Sequence, residues 1–169
     1  MNRKAIYLLS APIRTGKTTA LQHLLSGKKN SSGVLTPDVE GKRQFMDIAT
    51  GQFFNMEARE DETNVLAVGR FRFSRHSFEK AAGILNQAPI ADGWRIIDEI
   101  GPLELRGEGF GPVLKGLLAD YAAHEMRLLL VVRDTLLDEV CRHFRLDDFA
   151  IVIIGKEDLE ALVSKEYGA

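Results

Sequence analysis

The sequence predicts an α/β fold: a mainly parallel sheet flanked by helices, with an antiparallel β insertion. Three observations carry this. Four short apolar runs, at 5–10, 94–97, 128–132 and 151–154, alternate with segments of helical periodicity, which is the pattern of βα units around a parallel sheet. The first run leads into a loop and then directly into a helix. Between 33 and 73 the character changes to short apolar pieces separated by Gly41, Gly51 and Gly69.

Each element has a local reason. Run 5–10 is apolar on both faces, as a buried parallel strand requires. In 18–25, Leu21, Leu24 and Leu25 share a helical face, and Gly27 is a plausible stop. Residues 28–32 are polar and read as a turn. Thr50-Gly51, between the pieces 45–48 and 53–54, reads as a hairpin turn, and 59–63 as a charged loop. Phe78, Ala81, Ala82 and Leu85 predict a helix over 77–87 that Ser77 can cap. Run 94–97 is the second buried strand. Leu114, Leu117, Leu118 and Tyr121 predict a longer helix over 108–123. Run 128–132 is the third strand, 136–144 a helix, 151–154 the fourth strand and 157–163 a short final helix. There is no internal repeat and no low-complexity tract.

The chain of 169 residues is expected to form one domain, 1–169, with the insertion 33–73 inside it. Its apolar share of 45% and charged share of 27% are ordinary for a globular protein. A net charge of -2 weighs against a nucleic-acid partner. A lone cysteine, Cys141, excludes an internal disulfide and a multi-thiolate zinc site, and reads as a small hydrophobe. His23, His76, His124 and His143 lack metal-ligand spacing. The first apolar run is too short to span a membrane and no signal-peptide cleavage pattern follows, so a cytoplasmic protein is expected.

The loop Ala11-Pro12-Ile13-Arg14-Thr15-Gly16-Lys17-Thr18 fits G-x-x-x-x-G-K-[ST], with Ala11 in place of the first glycine. In that pattern backbone N–H groups face phosphate oxygens, a glycine permits close approach, the lysine reaches the β and γ oxygens, and the Thr18 hydroxyl serves Mg²⁺. Gly-Lys-Thr is also a common turn at a helix start. The preceding buried strand and the following helix favour phosphate binding. The methyl of Ala11 is tolerable at negative φ. Arg14 either points to solvent or curls over the γ-phosphate.

The apolar strand before Asp98-Glu99 ends in two carboxylates, in line with a Walker B element. Asp98 is expected in the Mg²⁺ shell with Thr18, and Glu99 is expected to orient or deprotonate the attacking water. Glu104 is either a second acid near the metal or a structural carboxylate at a helix start. A cation on the γ-phosphate would aid phosphoryl transfer. Arg133, at the end of the third apolar strand, is the first candidate, with Arg70 and Arg106 as rivals.

Four pieces together resemble the cancer-related, thermophile-type nucleoside-triphosphatase family. Asp98-Glu99-Ile100-Gly101 followed by Leu103-Glu104-Leu105 is similar to its D-E-I-G-x-M-E signature. Gly16-Lys17-Thr18-Thr19 matches the end of its phosphate loop and adds Thr19 to the nucleotide-binding set. Gly33-Val34-Leu35-Thr36-Pro37-Asp38-Val39, with 45–48 after it, resembles its G-h-x-T-P-E-V…G-F-D-I segment. Val68-Gly69-Arg70-Phe71 resembles its V-G-R-Y piece. The resemblance implies a RecA-like P-loop fold and Mg²⁺-dependent hydrolysis of nucleoside triphosphates to diphosphates, with several bases accepted. The family loop is usually G-x-x-G-x-G-K-T, so Ala11 and Arg14 stand at its first two glycines. Gly155-Lys156 occupies the place of the family's late Asn-Arg, and the Lys156 stem is expected against the base.

Two other functions fit the same residues. One is a kinase that passes the γ-phosphate to a small acceptor shaped by the β insertion. The other is a slow nucleotide-dependent switch. Nothing in the sequence indicates a protein partner.

Overall fold

A computed structural model describes residues 4–162. Its main sheet holds eight strands, seven of them in the order β10-β1-β9-β8-β2-β4-β3, with β5 paired to β4. The parallel part comprises β1 (Ala5–Ala11), β2 (Ser31–Leu35), β8 (Trp94–Ile100), β9 (Arg127–Arg133) and β10 (Ala150–Ile154). The antiparallel extension comprises β3 (Asp38–Val39), β4 (Lys42–Asp47) and β5 (Phe53–Asn55). A separate hairpin joins β6 (Val65–Val68) to β7 (Phe71–Ser74).

Alternation along the strands divides the core between the two faces. In β9, Leu128, Leu130 and Val132 face one side and Leu129 and Val131 the other. The second side is covered by α1 (Lys17–Leu25) through Leu21 and Leu25. The first is covered by α2 (Arg75–Leu85), α4 (Gly111–Ala119) and α5 (Leu137–His143), through residues such as Phe78, Leu114 and Val140. Cys141 packs at the margin of that cluster. Among the described residues no helix is long and apolar enough to cross a membrane.

The structure departs from the sequence-based expectations at definite places. Residues 31 and 32, expected in a turn, are buried in β2, a fifth parallel strand between β8 and β4. Within β2, Gly33 has a steric reason to be glycine. A Cβ on Gly33 would sit 2.0 Å from the Ile96 carbonyl oxygen, and Gly33 has φ +119°. Val34 and Leu35, expected within the antiparallel region, pair with β4 on one side and belong to a strand parallel to β8 on the other. The Thr50-Gly51 turn does join β4 to β5, with the Gly51 N–H donating to the Asp47 carbonyl at 2.8 Å.

Helix α2 starts two residues early. Its cap is Ser74, whose hydroxyl accepts from the Ser77 N–H at 3.2 Å, so Ser77 is the residue capped and not the cap. The helix expected over 108–123 is shorter: α4 begins at Gly111, with Pro112 in its first turn, and a 3-10 turn (Tyr121–Ala123) follows it, while a short α3 (Pro102–Leu105) stands before it. Proline in a first turn loses no hydrogen bond, whereas one turn deeper it would. β10 is an edge strand, and Val152 and Ile153, expected to be buried, are 40% and 56% exposed. The final helix opens with a 3-10 turn (Lys156–Asp158) and is helical to 162; Val163 lies outside the described residues.

Candidate active site

β1, β8 and β9 deliver their carboxyl ends to one place, where ligands bind in open α/β sheets. A cleft of about 860 Å³ opens there, between the 11–18 loop, the ends of β8 and β9, β4 and the β6–β7 hairpin.

The loop leaves β1 at Ala11, which pairs in register with Arg133 and is not among the residues of positive φ. Its methyl therefore carries no backbone strain. Arg14 does: it stands at φ +58°, in the left-handed region, where a Cβ costs roughly 1–2 kcal/mol. Gly16, at φ +81°, turns the chain into α1, and its carbonyl accepts from the Ala20 N–H at 2.9 Å.

The Lys17 ammonium folds back over this loop and donates to the carbonyls of Ala11 (2.9 Å) and Pro12 (2.8 Å). Burial lowers its pKa below the usual lysine value, against the opposing pull of Glu99, Asp98 and Asp134. A cation held by weakly basic carbonyls and facing carboxylates is poised for a stronger anionic partner. Lys156, expected beside the base, donates to the Thr15 carbonyl at 3.1 Å and reaches to within 3.2 Å of where a Gly16 Cβ would stand.

Across the cleft mouth, Thr18 Oγ1 donates to Asp98 Oδ2 at 2.7 Å. The same oxygen accepts from Thr36 N at 3.0 Å and Thr36 Oγ1 at 3.2 Å. Asp98 is fully buried, and its Oδ1 has no hydrogen-bond partner among the described residues. Burial, and secondarily Glu99, raises its pKa, while the Thr18 and Thr36 contacts oppose the rise. A buried carboxylate oxygen without a partner is costly. One adjoining a threonine hydroxyl fits a hard divalent cation of the Mg²⁺ type, whose remaining ligands come from water and phosphate. Among the described residues there is no cluster of three His, Cys, Asp or Glu that could hold a metal alone.

Glu99 owes its position to a β-bulge. The β8–β9 register shifts between Ile97 and Ile100, and both isoleucines, three residues apart, face the same core. Simple alternation would place them on opposite faces. The extra residue is absorbed at Glu99, which has φ +62°. Its carboxylate meets the Arg43 guanidinium, which reaches it from β4.

Glu104 resolves in favour of the helix-start carboxylate. Its two oxygens accept from Gly101 N (2.8 Å) and Phe110 N (3.0 Å), bracing both ends of the 101–110 segment. Burial pushes its pKa up to about 7, against those two hydrogen bonds.

The arginines separate as well. Arg133, Arg70 and Arg14 line the cleft. Arg70 lies on the β6–β7 turn, with its guanidinium carbon 5.1 Å from the centre of the Phe71 ring. Arg106 is turned away: it donates to the Ala67 carbonyl at 2.6 Å and pairs with Glu108 at 3.3 Å. Sequence reasoning overlooked two contributors, Thr36 and Arg43. Thr36 stands in the Thr36-Pro37 segment already singled out, one residue past a strand, and that was its available signal. Arg43 depends on the pairing of β4 with β2, which no local pattern announces.

Comparison with known proteins bears on the family and the fold. A family model described as NTPase matches residues 6–165. Two solved structures are similar in fold. A human cancer-related nucleoside triphosphatase has TM-score 0.62 and 21% identity, with 96% of this chain and 94% of that one covered. THEP1 from the hyperthermophile Aquifex aeolicus has TM-score 0.68 and 20% identity, with 95% of each chain covered. A comparison with curated proteins gives no match.

Proposed function

The chain belongs to this NTPase family, and from that premise we propose that it hydrolyses nucleoside triphosphates to diphosphate and phosphate with the help of Mg²⁺. One observation carries the reading: the Thr18 hydroxyl rests on Asp98, whose second oxygen is buried and without a partner among the described residues, next to the folded-back Lys17. This supports reading the 11–18 loop as a phosphate loop facing its acidic strand.

In the proposed reaction, N–H groups of the loop receive the phosphates, and Thr19 extends that set into the first turn of α1. Lys17 exchanges the Ala11 and Pro12 carbonyls for β and γ oxygens. Thr18 and Asp98 would hold Mg²⁺, which when bound neutralises charge on those oxygens. Glu99 orients a water for in-line attack on the γ-phosphorus and takes its proton as the bond to the bridging oxygen breaks. Arg133 adds positive charge at the transferring group. Lys156, whose ammonium rests on the Thr15 carbonyl, would lay its stem against a base, a contact that reads no base edge.

Phosphate release from each nucleoside triphosphate with Mg²⁺, and no added acceptor, tests this. Glu99→Gln should lower kcat by ~10²–10⁴-fold, and Lys17→Ala should weaken binding as well. Binding without release would overturn hydrolysis in favour of a switch. Release only when a metabolite is supplied would replace it with a kinase.

A further inference from the structure

We propose that Arg43 is a positioning residue for the hydrolytic step, fixing the Glu99 carboxylate and tying it to the antiparallel extension of the sheet. The inference rests on the reading of Glu99 as the water-orienting group.

Glu99 is poorly fixed by its own strand. It sits on a bulge in left-handed backbone, and its side chain is 36% exposed. Left alone, such a carboxylate samples several rotamers. Arg43 Nη1 contacts its Oε2, leaving Oε1 to accept from water. A planar guanidinium holds a carboxylate in a narrower range of orientations than an ammonium can.

Arg43 itself is firmly mounted. Its N–H donates to Glu57 Oε1 at 3.0 Å, and its carbonyl accepts from Met56 N at 3.3 Å. It shares a face of β4 with Phe45, which is fully buried and has ring centroids 5.0–5.8 Å from Phe54, Phe78 and Phe110. The aromatic core thus fixes β4, β4 fixes Arg43, and Arg43 fixes Glu99. A cation on a carboxylate weakens it as a base, yet phosphoryl transfer gains more from positioning than from strong proton abstraction. An arginine-held glutamate suits that task.

The test is a double-mutant cycle. Wild type, Arg43→Ala, Arg43→Lys, Glu99→Gln and Arg43→Ala/Glu99→Gln are compared for kcat, for the Kd of a non-hydrolysable triphosphate and for Tm. Arg43→Ala should lower kcat by roughly 10–100-fold, while Kd changes by less than about threefold. Arg43→Lys should lie between the two. In the Glu99→Gln background, removing Arg43 should change kcat by less than about threefold. An equal loss in both backgrounds would overturn the inference and make Arg43 an independent cation on the phosphate; so would an unchanged kcat. If Arg43→Ala does not fold, Arg43→Gln, which keeps most of the stem, enters the same cycle. Absence of phosphate release by wild type would remove the hydrolytic reading; release with no effect of Glu99→Gln would leave hydrolysis standing and remove the role of Glu99; either result takes the role of Arg43 with it. Failure of the cycle alone would remove only Arg43.

Discussion

Asp98 and Glu104 are both buried carboxylates raised above the ordinary range, but their surroundings set them to different uses. Asp98 keeps one oxygen without a partner among the described residues. Glu104 spends both on backbone N–H groups. A folded-state pKa of about 7 for Glu104, against an ordinary 4.5, means that the folded chain holds this proton more tightly than the unfolded one. The associated stability is fully present below about 4.5 and is lost as pH rises through about 7, a swing of roughly 3 kcal/mol for a shift of this size. Glu104→Gln cannot titrate and also sets an amide NH₂ against an N–H donor. It should therefore be less stable than wild type at pH 5, with the gap narrowing by pH 8. Urea unfolding of both proteins at the two pH values measures this, and a gap independent of pH would refute it. At this scale the sequence was readable where chemistry is packed locally: Lys17, Thr18, Asp98, Glu99. It held Thr36 only as part of a longer segment, with no role, and it missed Arg43, because no local motif announces their contacts with Asp98 and Glu99.

Among elements, β2 was the hardest to read. Ser31, Ser32 and Gly33 have a loop-like composition, yet they form the strand between β8 and the antiparallel extension. Gly33 is held to glycine by its approach to Ile96, and serine and glycine are also what turns use, so the composition hides the strand. The Gly33 position is correspondingly intolerant. Gly33→Ala places a methyl against the Ile96 carbonyl in a backbone conformation foreign to alanine. It should cost more than about 3 kcal/mol or prevent folding, read as a drop in the urea midpoint or as insoluble protein. Wild-type stability for this variant would mean that β2 and β8 are not in this register. The apolar strands β1, β8 and β9 were legible because their patterns reflect burial on both faces. The helix expected over 108–123 was placed correctly in its middle but overran both ends, since α4 starts at Gly111 with Pro112 in its first turn and gives way to a 3-10 turn at Tyr121.

At the level of the molecule, the cleft draws on the parallel strands, the antiparallel extension and the hairpin together, so substrate binding should stabilise the fold as a unit. A triphosphate with Mg²⁺ at a hundred times its Kd adds about 2.7 kcal/mol, roughly 5–10 °C in Tm for a chain of this size. Scanning fluorimetry should show that shift, and both EDTA and Lys17→Ala should remove most of it. A shift that survives Lys17→Ala undiminished would place the nucleotide elsewhere.

With Glu99 in the role proposed for it, its left-handed backbone sets heat resistance and turnover against each other. Glycine or asparagine would sit there with less strain, and neither has a carboxylate to offer a water. Variants chosen for thermal survival alone would be drawn toward those replacements and away from the reaction. An engineering campaign on this scaffold therefore has to score turnover in every round, and hold position 99 fixed while it stabilises the rest.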